Sequence, residues 1–172
     1  MNMEGKTWPF ISTAWKFGDS ISTDHISPGR YFHLRTNLPE LTKHTLEDAR
    51  EEYASNVKSG DFVVAGRNFG MGSSREHAAI MIKMSGAGAV VAKSFARIFY
   101  RNAINVGLPA IICNTDKIAD KDQLSIDLEL GKLKNETKGF ELTFSPIPKE
   151  MMKILSEGGL VPYIKKYGDL KL

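Results

Sequence analysis

The chain has 172 residues, 42% of them hydrophobic and 25% charged, with a formal net charge of +3 from 23 basic and 20 acidic side chains. That length can bury a core of its own, and 15 glycines with 7 prolines exclude a collagen-like or low-complexity chain. The basic residues are scattered, with Lys165 and Lys166 the nearest thing to a cluster, which argues against a nucleic-acid partner, and no apolar run reaches the roughly 20 residues of a membrane span.

Met1 to Thr7 lacks the basic-then-apolar order of a secretory signal, so a cytoplasmic protein is expected. Thr13 to Phe17 reads as a short strand. Two irregular stretches follow, Gly18 to Gly29 and Arg30 to Lys43, the first rich in Ser and Asp and ended by Pro28 and Gly29. Thr45 can cap a helix, with Asp48 three residues on. Leu46, Ala49, Tyr53 and Val57 keep helical spacing, which predicts a helix from Leu46 to Lys58 that Gly60 stops.

Phe62 to Ala65 is a short apolar strand, and Gly66 to Ser74 a glycine-rich loop. Arg75 to Ser85 predicts a helix, Ala89 to Ala92 a strand, Phe95 to Val106 a helix and Pro109 to Cys113 a further strand. Strands alternating with helices at this short spacing imply a parallel sheet with crossover helices. Phe95, Ile98 and Phe99 fall at helical spacing and are expected in the core. Leu124 to Leu130 and Gly139 to Phe144 alternate apolar and polar residues, the pattern of antiparallel strands with one wet face. Met151 to Ser156 and Leu160 to Tyr167 read as closing helices. The expectation is one α/β domain over residues 1–172, a parallel β/α core with additional antiparallel strands. Cys113 is the only cysteine, so an internal disulfide is excluded, as is a cysteine-held zinc or iron–sulfur site within the chain.

The segment richest in chemistry is Gly66-Arg-Asn-Phe-Gly-Met-Gly-Ser-Ser-Arg-Glu-His-Ala78. Gly70 and Gly72 let the backbone turn tightly and admit close approach. The first amides of a helix are unpaired and favour anions. Ser73, Ser74 and Arg75 add donors at the same end, and Arg75 can grip a carboxylate through two parallel hydrogen bonds. The plainer reading is that Ser73 or Ser74 only caps the helix. The spacing fits neither a P-loop, a dinucleotide fingerprint nor a nucleophile elbow.

The same segment resembles the signature of the aconitase swivel domain. Ala92-Lys-Ser-Phe-Ala-Arg-Ile-Phe-Tyr-Arg-Asn-Ala-Ile-Asn-Val-Gly-Leu-Pro109 resembles a second family motif, and Ser22-Thr-Asp-His-Ile-Ser-Pro28 a third. The three stand in family order. Length, and the lack of a cysteine-bearing domain, are similar to the separately encoded small subunits of 3-isopropylmalate dehydratase and homoaconitase.

The resemblance implies a swivel-type fold and a hydro-lyase that dehydrates and rehydrates a hydroxy-di- or tricarboxylate. It implies no cofactor bound by this chain and a [4Fe-4S] cluster on a partner large subunit. Ser73 matches the serine that takes the carbon-bound proton as its alkoxide, and Arg75 the arginine that grips a substrate carboxylate. Ser74 is expected to donate to substrate or to the Ser73 oxygen. Asp24 and His25 belong to the third motif, which carries the aspartate securely. Asp24 either orients an active-site group or satisfies turn amides. His77 is expected to be structural.

Arg35 resembles the arginine that binds an extra carboxylate in aconitase-like and homoaconitase-like members, whereas isopropylmalate-specific members more often place an apolar residue there. Separate small subunits of this length are most often isopropylmalate dehydratases, and that substrate is the expectation, with homoaconitate or a related hydroxy acid as the alternative. A reading of another class is a regulatory anion-binding module without catalysis, against which the presence of both Ser73 and Arg75 argues.

Overall fold

A computed structural model describes residues 8–169; Met1 to Thr7, the stretch without signal-like order, lies outside them. Strands Phe10–Lys16 (β1), Phe62–Ala65 (β2), Ala89–Ala92 (β3), Ala110–Ile112 (β4), Gln123–Asp127 (β5), Lys132–Asn135 (β6) and Phe140–Thr143 (β7) form one sheet among the described residues, ordered β4-β3-β2-β1-β5-β6-β7. β1 joins two pairing regimes. Ala14 to Lys16 pairs parallel with β2, while Phe10 to Thr13 pairs antiparallel with β5. β2, β3 and β4 continue the parallel half, and β5, β6 and β7 the antiparallel half. The architecture is the parallel core with an antiparallel extension that the residue pattern predicts.

Every side chain of β2 and β3 is buried, as expected for parallel strands covered on both faces. Val63, Ala65, Val90 and Ala92 point to one face, where Ala78, Ala79 and Ile82 of helix Glu76–Met84 (α4) and Phe99 and Ala103 of helix Arg97–Asn105 (α5) cover them. Phe62, Val64, Ala89 and Val91 point to the other face, with Leu124, Ile126, Leu133 and Leu155, the last from helix Lys149–Ser156 (α6). Each fully buried Val, Leu, Ile or Phe side chain among them contributes about 1.5–3 kcal/mol relative to exposure. Helix Leu160–Tyr167 (α7) closes the fold. Among the described residues no helix is long and apolar enough to cross a membrane.

The structure departs from the expectations at five points. The helix over 46–58 shrinks to Tyr53–Asn56 (α3). Leu46 takes a left-handed backbone, φ +59°, and sits fully buried with its N–H donating to the Ile26 carbonyl at 3.0 Å. The Thr45 hydroxyl donates to the Thr42 carbonyl at 2.7 Å and caps no helix there. Tertiary burial of Leu46 outweighs the helical periodicity, which survives as a common apolar direction: Leu46 and Tyr53 are buried in one cluster, and Ala49 and Val57 pack against it. Strand β6 was not expected, because a four-residue Lys-Leu-Lys-Asn run carries one apolar side chain and so no readable alternation. The helix expected from Phe95 begins only at Arg97, because Ala96 is its N-cap with an extended backbone, ψ 136°, held by its N–H donating to the Phe69 carbonyl at 2.9 Å. Phe99 is buried as expected, but Ile98 is 51% exposed. The stretches read as irregular contain short helices Thr23–Ile26 (α1) and Leu38–Thr42 (α2) and a 3-10 turn over Gly29–Leu34.

Candidate active site

The loop from Gly66 to Ser74 leaves the end of β2 and is clamped on two sides. Toward the N-terminal segment, the Asp19 carboxylate accepts the Arg67 N–H at 2.7 Å, Gly70 N–H reaches the Ile21 carbonyl at 2.7 Å, and Thr23 N–H reaches the Met71 carbonyl at 2.8 Å. On the other side, the Ser94 hydroxyl accepts the Asn68 N–H at 2.8 Å, and Phe69 donates to the Ser94 carbonyl at 3.0 Å. The three motif segments therefore converge through backbone hydrogen bonds.

Two glycines are required by this packing. Gly70 has φ +77°, and a Cβ there would lie 2.2 Å from Phe99 Cγ. Gly72 has φ +110°, and a Cβ would lie 3.0 Å from Thr23 Oγ1. Any side chain at either position forces its neighbour or the loop to move.

α4 begins at Glu76, with Arg75 as its N-cap and no side-chain cap bond. The plain capping reading of Ser73 and Ser74 is thus not realised, and both hydroxyls stand on an exposed stretch just ahead of the helix. Ser73 N–H donates to Thr23 Oγ1 at 3.2 Å, and Ser73 Oγ lies 3.3 Å from the same oxygen. Arg75 Nη1 donates to the Asp24 carboxylate and, at 3.2 Å, to the Ser27 carbonyl. Its Nη2 and Nε have no protein acceptor among the described residues, which leaves three N–H groups, of which the one on Nε and the near one on Nη2 form a fork for a carboxylate. Asp24 thus meets a guanidinium and not turn amides.

His25 closes a capping box with Ser22. Its N–H donates to Ser22 Oγ at 3.1 Å, and its Nδ1 accepts the Ser22 N–H at 3.0 Å. An Nδ1 that accepts carries no proton, so the neutral ring is protonated on Nε2. His77 is half-buried, and burial followed by the Arg75 charge pushes its imidazole below its ordinary pKa.

Arg35 makes no hydrogen bond or ion pair with Ser73, Ser74 or Arg75. It ends the 3-10 turn, exposed, with its guanidinium over the Phe32 ring at 4.5 Å and Nη1 donating to the Phe32 carbonyl at 3.3 Å. Phe32 in turn lies 6.4 Å from the His77 ring, which links this turn to α4. The residue that sequence reasoning passed over is Thr23. It sits inside a recognised motif, yet nothing local in a Ser-Thr-Asp run indicates a partner 50 positions away.

The chain's residues do not suit an iron–sulfur cluster. Its single cysteine cannot supply three or four thiolates, and Cys113 is buried, its thiol pushed up by burial. Among the described residues no group of three or more His, Cys, Asp or Glu could hold a metal ion.

Residues 20–115 match the Aconitase C-terminal domain family. The chain is 61% identical over 162 residues to 3-isopropylmalate dehydratase small subunit 2 of Archaeoglobus fulgidus, a match spanning 94% of this chain and 98% of that one. It is 53% identical over 156 residues to the methanogen homoaconitase small subunit of Methanothermobacter thermautotrophicus, spanning 90% of each. Its fold superposes on the crystal structure of a 3-isopropylmalate dehydratase from Methanocaldococcus jannaschii with a TM-score of 0.87 and 48% identity, covering 93% of this chain and 95% of that one.

Proposed function

The chain belongs to the Aconitase C-terminal domain family, and from that membership and the geometry of the Ser73 loop we propose that it is the small subunit of a two-subunit hydro-lyase. The enzyme interconverts 2-isopropylmalate and 3-isopropylmalate through isopropylmaleate. A large subunit completes it and holds the iron–sulfur cluster, which supplies Lewis acidity toward the leaving hydroxyl; this chain has too few thiolates to hold one.

The observation that carries the reading is a serine hydroxyl that caps no helix, two positions from a half-buried arginine whose Nη2 and Nε have no acceptor among the described residues. Ser73, as its alkoxide, takes the proton from the carbon beside a carboxylate. The C–H electron pair becomes the new double bond as hydroxide leaves the neighbouring carbon. Rehydration returns the proton to the other carbon, so that the hydroxyl ends one position over. Arg75 grips the carboxylate through Nη2 and Nε while Asp24 holds Nη1. Neutralising that carboxylate also acidifies the adjacent C–H, so the arginine helps both binding and proton removal. Ser74 donates to the substrate or to the Ser73 oxygen. His25 supports Ser22 and, through it, the turn carrying Thr23 and Asp24.

Isopropylmalate is favoured because the more similar of the two named small subunits carries that name. A second reading, homoaconitate, is favoured by the other relative and by Arg35, whose exposed guanidinium could meet a third carboxylate. Turnover of the anaerobically assembled two-subunit complex on isopropylmaleate and cis-homoaconitate, side by side, decides between them. Ser73→Ala in the same complex is expected to abolish turnover while assembly persists. Near-full activity in the assembled variant rules out Ser73 as the base.

A further inference from the structure

We infer that Thr23 is a positioning residue for the base, holding Ser73 by its backbone and donating its own hydroxyl hydrogen to Ser73 Oγ. The inference rests on the reading of Ser73 as base and adds the group that stabilises its alkoxide.

A serine hydroxyl is a weak base unless something stabilises its anion. Thr23 is 2% exposed, while Ser73 stands on an exposed stretch, so a buried donor approaches Ser73 Oγ from the protein side. A threonine hydroxyl has one hydrogen and two lone pairs. One lone pair takes the Ser73 N–H at 3.2 Å. The hydrogen then has a single protein acceptor within reach among the described residues, Ser73 Oγ at 3.3 Å. In the neutral state that contact is long. Once Ser73 Oγ carries charge, the bond becomes charge-assisted and shortens toward about 2.5–2.7 Å.

The donor is fixed before the reaction. Thr23 N–H is bound to the Met71 carbonyl at 2.8 Å, and the Thr23 carbonyl accepts the Ser27 N–H at 2.9 Å. The bare Gly72 leaves room for its hydroxyl, where a Cβ would lie 3.0 Å away. A prearranged donor at the atom where negative charge resides costs no reorganisation during turnover. Its partial seclusion from water strengthens the bond further.

The test uses the assembled two-subunit enzyme. Thr23→Val keeps the shape and removes the hydroxyl; Thr23→Ser keeps the hydroxyl. The expected result is a fall in kcat of roughly 100- to 1,000-fold for Thr23→Val, the loss typical of one removed oxyanion donor, with KM little changed. The rising limb of the kcat–pH profile moves to higher pH, since an unsupported alkoxide forms less readily. Thr23→Ser restores most of the rate and the original profile. Where valine prevents assembly with the large subunit, Thr23→Ala makes the same comparison. Wild-type kcat and pH profile in either hydroxyl-free variant overturns the proposal, as does equal loss in Thr23→Ser, which assigns the effect to packing. Ser73→Ala separates the two levels of the argument. If it is inactive while Thr23→Val is normal, only the role of Thr23 fails; if it is active, the base itself is misassigned.

Discussion

Replacing Arg75 with lysine keeps a positive charge at the mouth of the loop and removes the flat fork. Nη1 is committed to Asp24 and to the Ser27 carbonyl, and Nη2 and Nε, without an acceptor among the described residues, are the pair proposed to bind a carboxylate together. A lysine ammonium is a single point on a flexible stem and must choose between Asp24 and the substrate. The substitution therefore forfeits about one charged hydrogen bond, roughly 1.5–3 kcal/mol, which converts to about a 10- to 150-fold weaker hold on substrate at roughly 1.4 kcal/mol per tenfold. The assay is steady-state turnover of the assembled two-subunit enzyme across substrate concentration, with cluster content matched to wild type. The increase should fall mainly on KM, with a smaller fall in kcat from weaker acidification of the C–H. An unchanged KM refutes the role given to Arg75, and so does a loss confined to kcat. Asp24→Asn in the same assay should also raise KM, because Nη1 loses its charged anchor and the fork is no longer held in one orientation.

Two further outcomes concern the scaffold. Gly70→Ala places a methyl group 2.2 Å from Phe99 Cγ at a backbone φ of +77°; overpacking costs about 1–3 kcal/mol and the left-handed backbone about 1–2 kcal/mol more, so the urea midpoint should fall clearly, and an unchanged midpoint contradicts the packing described. Asp122 is buried, which by itself raises its pKa, but the Ala119 N–H, the Asn135 amide at 2.7 Å and Lys138 outweigh burial and hold the carboxyl below its ordinary value. A pKa lower in the folded than in the unfolded chain gives stability that is present above about pH 3.9 and lost as pH falls through the folded value. Urea midpoints measured from pH 5 downward should show that loss, and Asp122→Asn should lessen it; an identical pH dependence in the variant removes Asp122 as its source.

Much of this protein could be read along the chain. The parallel strands announce themselves as short apolar runs because both of their faces are covered, and the helices between them carry a one-sided apolar stripe. The residues of the Ser73 loop are equally local, since glycines at 70 and 72 with two serines and an arginine behind them state their chemistry in a single stretch. The tertiary structure decided what depends on distant neighbours. Leu46 breaks a well-spaced helix because its side chain belongs in the core and its N–H belongs to Ile26. Strand β6 exists because β5 and β7 flank it, not because Lys-Leu-Lys-Asn asks to be a strand. Within the candidate site, the unused helix cap frees Ser73 and Ser74, the Arg75 fork is oriented by Asp24, and Thr23 meets Ser73 across 50 residues. Periodicity and local motifs record only what lies within a few residues; hydrogen-bond partners brought together by chain crossing leave no mark on the spacing of either one.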